Sequence, residues 1–248
     1  MDTPKAFWNA QNSSLHRDSS AAFYRGKAEE HASLISPEDR SAGIVDLGCG
    51  AGELLEQLAG LVKIDAALDF SDAMLAEARR RLADHSDVAL INADLFAYLP
   101  KQRHAVWTTT GAINQYLDRA ETMRFLDLFA KHPDAHALYL FDCVDPLRYA
   151  LLPYGLSYRP EHLDDGQTKT FRARVGRPVR LTQRVSKLLT GGFTKDFQYL
   201  GSAGMGYGAP PRFWLLTARN FGLHAQIVSS RYYEYRYHVL LHKDAGRV

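Results

Sequence analysis

The run Val45-Asp46-Leu47-Gly48-Cys49-Gly50-Ala51-Gly52-Glu53-Leu54 constrains this chain more than any other stretch. A short apolar strand meets an acid and a glycine turn, and the turn opens directly into a helix. Glycines at 48, 50 and 52 permit positive φ and leave no Cβ between backbone and ligand, while the helix N-terminus aims its amides at the same spot. Such an arrangement builds a nucleotide-binding loop. Its spacing is G-x-G-x-G, not the G-x-G-x-x-G of dinucleotide binders that seat a pyrophosphate on the helix. A smaller ligand without a diphosphate is therefore favoured.

The next two strands extend the site. Ile64-Asp65-Ala66-Ala67-Leu68 reads as a second strand that ends in Asp69-Phe70-Ser71, with a helix starting near Asp72. An acid at the carboxyl end of the second strand of an α/β unit is placed to hold a ribose diol. A third strand, Val88 to Asn92, ends in Ala93-Asp94-Leu95-Phe96, which offers a carboxylate and apolar walls for an adenine.

On these residues the chain resembles the class I S-adenosylmethionine-dependent methyltransferases. The V-D-L-G-C-G-x-G signature of that family matches 45 to 52, its second-strand acid matches Asp69, and its Ala-Asp after the third strand matches Ala93-Asp94. The resemblance covers about 44 to 146, together with a sixth and seventh strand near the end of the chain. It implies a Rossmann-like, doubly wound α/β sheet of seven strands, with S-adenosyl-L-methionine as methyl donor and S-adenosyl-L-homocysteine as product. It also implies that Asp46 supports the loop and the methionine ammonium region, that Gly48, Cys49 and Gly50 admit the methionine part, that Asp69 holds the ribose hydroxyls and that Asp94 accepts from the adenine amino group. Phe70, Met74, Leu95, Phe96 and Thr109 complete the cofactor set.

Two segments bear on the acceptor. Residues 22–31 are helical in part, and they either pack on the sheet or close over the pocket. In the aminosugar and glycine N-methyltransferases that the chain resembles, a Tyr and a basic residue here contact the cofactor carboxylate; Tyr24 and Arg25 take those places. An arginine suits a carboxylate through two parallel bonds. The acceptor belongs outside the carboxyl end of the fourth strand, where the chain reads Thr108-Thr109-Thr110-Gly111-Ala112-Ile113-Asn114-Gln115-Tyr116-Leu117. The resembled enzymes end a similar loop in His-Leu, whereas here Tyr116 precedes Leu117. Tyr116, Asp142, Asp145 and His162 remain as groups able to take a proton or orient the acceptor.

Periodicity supplies the rest. Helices are expected at 53–60, 72–83 and 119–131, a fourth strand at 104–109, and a fifth at 137–141 that ends in Asp142. The alternating pattern then stops, and short β-like runs at 170–175 and 179–185 point to an antiparallel β insertion after the fifth strand. A helix at 212–221 and strands at 223–229 and 235–242 follow. This divides the chain into an N-terminal helical lid (1–40), a cofactor-binding core (41–146 and 210–248) and an antiparallel substrate cap (147–209). Tyr154 and Tyr158 of the cap are assigned to the acceptor pocket.

Composition excludes other classes. The 248 residues, 46% hydrophobic and 23% charged, suit one soluble α/β unit with an insertion. No run approaches the roughly 20 apolar residues of a membrane span, and the polar start lacks a signal-peptide core. Cys49 and Cys143 read as reduced thiols of a cytoplasmic protein, and no metal-ligand spacing occurs. The stretch from Gln167 to Lys187 carries seven basic residues and no acid. It is either an edge that discourages strand pairing or a surface for an anionic substrate. A net charge of only +2 disfavours nucleic acid. The expected partner is a small-molecule acceptor, the expected state a monomer or homodimer, and the expected reaction methyl transfer to nitrogen. O-methylation and a catalytically silent binding protein stand as alternatives.

Overall fold

The computed structural model describes residues 20–111, 113–151, 194–198 and 205–243. In chain order α1 (Ala21–Leu34) and α2 (Pro37–Ala42) precede β1 (Ile44–Leu47), α3 (Glu53–Ala59), β2 (Ile64–Asp69), α4 (Asp72–Arg81), β3 (Ala89–Asn92), α5 (Leu95–Tyr98) and β4 (Val106–Thr109). Then come α6 (Arg119–Lys131), β5 (Ala137–Val144), α7 (Pro146–Leu151), β6 (Thr194–Gln198), β7 (Met205–Gly208), α8 (Pro211–Asn220), β8 (Leu223–Ser229) and β9 (Arg236–Lys243).

The apolar runs that precede each acid form the parallel centre of one seven-stranded sheet, ordered β3-β2-β1-β4-β5-β9-β8. The order reverses between β1 and β4, so a crevice opens outside their carboxyl ends, which is where open α/β sheets bind ligands. Both faces are covered. Val45, Leu47, Leu68, Trp107, Leu138 and Leu140 pack against Phe125, Leu126 and Phe129 of α6 and Trp214 of α8. Ile44, Ile64, Ala67, Val106 and Phe141 pack against Ala28 of α1, Leu55 and Leu58 of α3 and Leu75 of α4. Each fully buried Leu or Phe contributes about 1.5–3 kcal/mol, so alternate residues of each central strand anchor opposite helix layers.

Helix starts follow side-chain caps. Ser71 Oγ accepts from Met74 N at the start of α4, and Asp118 with Glu121 forms a reciprocal capping box at α6. α2, absent from the sequence reading, starts the same way: Ser36 Oγ accepts from Asp39 N and Pro37 occupies the first turn.

The largest departure concerns β5, which runs to Val144 instead of stopping at Phe141. Its pairing with β9 shifts register between Leu140 and Cys143, and Asp142 takes φ of 56° inside this bulge. No other non-glycine residue among those described has positive φ. The bulge absorbs the acid and lets pairing resume at Cys143↔Tyr237 and Val144↔Arg236. Because β9 is antiparallel to β5, the β8–β9 turn stands at the carboxyl ends of the parallel strands, beside α1. The expected runs at 170–175 and 179–185 lie outside the described residues; the described part of the insertion is α7 and the antiparallel pair β6–β7. No helix among the described residues is long and apolar enough to cross a membrane.

Candidate active site

The glycine loop stands at the end of β1 with φ of 74° at Gly48, 58° at Gly50 and 81° at Gly52. A Cβ built at Gly50 would meet nothing within 4 Å, so the loop presents bare backbone to open space. Opposite it, Asp69 ends β2 and is fixed through both oxygens: Oδ2 accepts from Gly50 N at 3.0 Å and Oδ1 from Ser71 N at 2.9 Å. A carboxylate offers about four lone-pair sites. The Gly50 and Ser71 amides hold the group rigid, and the Phe70 amide also favours its charged form. Burial pushes the Asp69 carboxyl up, against the opposing pull of the Ser71 and Gly50 amides.

Asp46 lies below the loop with no exposed surface. Its oxygens accept from Thr108 Oγ1 at 2.7 Å, Thr110 N at 2.9 Å and Thr110 Oγ1 at 2.6 Å. Its bonds run to β4 and the segment that follows it. Asp46 ties the ligand loop to the start of the acceptor loop. Burial raises its carboxyl, opposed by the Thr110 bonds.

The acceptor loop touches the glycine loop directly. A Cβ at Gly111 would sit 1.8 Å from Gly48 O, so only a glycine permits this approach. Within the loop, Asn114 is buried, and its Nδ2 donates to Cys143 Sγ at 2.9 Å while Oδ1 has no partner among the described residues. Tyr116 is half-buried, and its N donates to Ile113 O at 2.8 Å. Thr109 is fully buried, and its Oγ1 accepts from Phe141 N at 3.3 Å, so its hydroxyl serves the β4–β5 seam. Cys49 and Cys143 are both buried free thiols.

The adenine end gathers on the neighbouring strand ends. Ala93 N donates to Asp69 O at 3.1 Å, which brings Asp94 alongside Asp69. Asp94 is exposed, and Oδ1 accepts from Phe96 N at 3.0 Å to cap α5. Leu95 is buried, and half-buried Phe96 lies under the Arg124 guanidinium at 4.5 Å. Phe70 is half-buried and Met74 buried.

α1 brings half-buried Tyr24 against the core that includes Cys49, and exposes Arg25. Behind them Lys27 pairs with Asp142 in a contact buried on both sides. The Lys27 ammonium also lies 4.8 Å above the Tyr233 ring. Asp142 N donates to His238 Nδ1 at 3.2 Å, and Asp142 O accepts from Arg236 Nη1 at 3.1 Å. Burial works to raise the Asp142 carboxyl, but Lys27, with Arg236 behind it, holds it well below the usual carboxylate range. Asp142 is thus a weak base and a fixed hydrogen-bond acceptor, with Oδ1 unpartnered among the described residues. Asp145 accepts from Leu147 N at 2.9 Å and caps α7. Tyr154, Tyr158 and His162 lie outside the described residues.

Glu30, His31 and His238 bring donor atoms within 4.8 Å of one another. His238 Nδ1 accepts from a backbone N–H, which puts the ring proton on Nε2, and Nε2 faces Glu30 Oε1 at 3.4 Å. A metal ligand needs that nitrogen bare and its opposite nitrogen donating. With its proton on Nε2, His238 does not present the bare nitrogen that a metal centre here would need.

A family model described as a methyltransferase domain matches residues 44–132, from β1 to the end of α6. That span holds the glycine loop, Asp69 and the acceptor loop, and it is similar to a methyltransferase domain. No curated protein matches the chain. Among solved structures, a glycopeptide N-methyltransferase complexed with S-adenosyl-L-methionine is similar at 16% identity and a TM-score of 0.58, over 88% of this chain and 93% of that one. An amino pentose methyltransferase from Micromonospora echinaspora is similar at 17% identity and a TM-score of 0.55, over 92% of this chain and 93% of that one. The magnesium protoporphyrin IX methyltransferase of Synechocystis PCC 6803, with bound SAH, is similar at 14% identity and a TM-score of 0.53, over 90% of this chain and 84% of that one. These likenesses establish the Rossmann-like methyltransferase fold.

Proposed function

We propose that this protein is an S-adenosylmethionine-dependent methyltransferase that directs the methyl group to a nitrogen of a small-molecule acceptor. The observation that carries the reading is the opposition of Gly50 and Asp69: a bare positive-φ loop with open space above it, bonded through its Gly50 amide to a carboxylate fixed at the end of β2. When bound, the cofactor's sulfonium supplies an electrophilic methyl group. Asp69 would hold the ribose hydroxyls, Asp94 the adenine amino group, and Tyr24 with Arg25 the methionine carboxylate. Gly48 and Gly50 would leave room for the methionine part, with Leu95, Phe96, Phe70 and Met74 about the nucleoside. The chain's remaining work is alignment and exclusion of water, which in well-oriented systems is worth about 7–11 kcal/mol.

Nitrogen is preferred to oxygen because of Asp142. A hydroxyl acceptor needs a base strong enough to take its proton, whereas an amine needs a hydrogen-bond acceptor that orients its lone pair. Asp142, buried and held well below the usual carboxylate range by Lys27, is not the base that a hydroxyl proton needs. Tyr116 stands on the acceptor loop, and Tyr154, Tyr158 and His162 are assigned to the cap by the sequence alone. The test is a screen for SAH release from S-adenosylmethionine with matched amine and phenol acceptors. Turnover of amines over the corresponding phenols supports the reading; turnover confined to phenols or carboxylic acids replaces it with O-methylation.

A further inference from the structure

Helix α1 docks on the sheet through a charged face. Of its five buried residues, Lys27, Glu30 and His31 are polar and only Ala28 and Ala32 are apolar. Burying such groups costs free energy unless each polar atom finds a partner. Lys27 has Asp142, and Glu30 Oε1 accepts from Arg231 N of the β8–β9 turn at 2.6 Å. His31 is different. It has no exposed surface, and neither ring nitrogen has a hydrogen-bond partner among the described residues. What holds the ring is stacking on Phe141, with centroids 3.9 Å apart and planes 8° from parallel.

A neutral imidazole in this place leaves one N–H donor unmet. A protonated one leaves two and adds a charge. Every group packed around it bears on that charge: Asp142 Oδ2 lies 3.9 Å from Nε2 and attracts it, the Lys27 ammonium on the same helix pairs with that carboxylate, the Arg236 guanidinium bonds the Asp142 backbone carbonyl, and the His238 ring on β9 lies 5.1 Å from the His31 ring. Glu30 is turned to the Arg231 amide and His238. Burial is the largest influence, and with His238 and Lys27 it outweighs Asp142, so the docked ring takes a proton only well below its ordinary 6.5.

We propose that His31 is a proton-operated release for α1: the neutral ring keeps the helix docked against β5 and β9, and proton uptake frees it and uncovers the ligand edge of the sheet. The released helix meets water, where an imidazole protonates near 6.5. A group whose proton affinity is lower in the docked state gives docking its full strength above that value and weakens it as pH falls through it. For one proton taken up on release, the docking constant falls about tenfold between pH 7.5 and pH 5.5. α1 also carries Tyr24 and Arg25, so release withdraws both from the site together.

The experiment is amide hydrogen exchange of the whole protein without cofactor at pH 7.5, 6.5 and 5.5, corrected for the intrinsic pH dependence of exchange. Protection of the amides in 24–34 is expected to fall about tenfold across that range, while β1 and β4 amides keep theirs. His31→Phe retains a flat ring over Phe141 and is expected to abolish the fall; His31→Gln serves the same end if the phenylalanine does not fold. Flat protection in the natural chain overturns the proposal, as does an equal fall in the His31 variants or a fall shared by the whole sheet. Because no cofactor is present, the outcome is independent of whether S-adenosylmethionine binds.

Discussion

Replacing Lys27 by Met keeps most of the side-chain stem and deletes the ammonium that faces Asp142. The two side chains are 7% and 2% exposed, so solvent screens the pair little. Removing one partner of a buried pair leaves an uncompensated charge and costs about 3–5 kcal/mol. Arg236 still bonds Asp142 O, which places the expected loss near the lower end, about 3 kcal/mol. In a chain of this size that corresponds to a fall in Tm of roughly 6–12 °C. The pH dependence has a definite sign. In the natural protein Asp142 is held below the usual carboxylate range, so it contributes stability that is present above an unfolded value of about 3.9 and is lost as pH falls. In the variant, burial acts unopposed by Lys27 and pushes the carboxyl up, so the gap between the two proteins narrows as pH falls and the carboxyl takes a proton. The double variant with Asp142→Asn, neutral at both positions, is expected to recover much of the loss. Urea unfolding followed by circular dichroism measures all four corners of the cycle. A Lys27→Met protein within about 1 kcal/mol of the natural one at pH 7, or losses that simply add, would refute the buried-pair argument.

Gly111→Ala sets a methyl carbon 1.8 Å from Gly48 O and 3.0 Å from Gly48 C, both backbone atoms, so the two loops must part; SAH affinity by calorimetry is expected to fall about tenfold or more, with the circular dichroism spectrum unchanged. Asp46→Ala leaves the Thr110 amide without its acceptor, which predicts a loss of about 1–3 kcal/mol in urea unfolding. Asp39 is buried, and although burial works to raise its carboxyl, hydrogen bonds from Tyr139 and His136 hold it below the ordinary value. Its contribution is present above about pH 4 and lost on acidification, so Asp39→Asn is expected to cost about 1–2 kcal/mol at pH 7 and less at pH 3, read from Tm against pH.

The features legible in the sequence are those with a local period or a local turn. Each parallel strand is an apolar run closed by an acid or a polar loop, so its position is set by four to eight adjacent residues, and β8 falls at 223–229 as expected. Gly48, Gly50 and Asp69 could be placed because the loop and the strand end are contiguous signals. The structure also contains pairings between distant segments that carry no periodic trace. Lys27, Glu30 and His31 fall at helical spacing and look like a solvated face, yet they are buried because Asp142, 115 positions from Lys27, offers a charge. The bulge that carries Asp142 depends on β9, and Gly111 matters because of Gly48. The strands β6 and β7, Thr194–Gln198 and Met205–Gly208, lack strict alternation and so leave no period-2 signal in the sequence.

Isothermal titration of S-adenosylhomocysteine into the natural protein and into Asp69→Ala, with NADH titrated as a comparison, tests the central claim most directly. The account predicts that the natural protein binds S-adenosylhomocysteine and not NADH, and that the folded Asp69→Ala protein binds it more weakly by about 1–3 kcal/mol, the cost of leaving ribose hydroxyls unpaired. Equal affinity in the two proteins, or binding of NADH in place of S-adenosylhomocysteine, would contradict it.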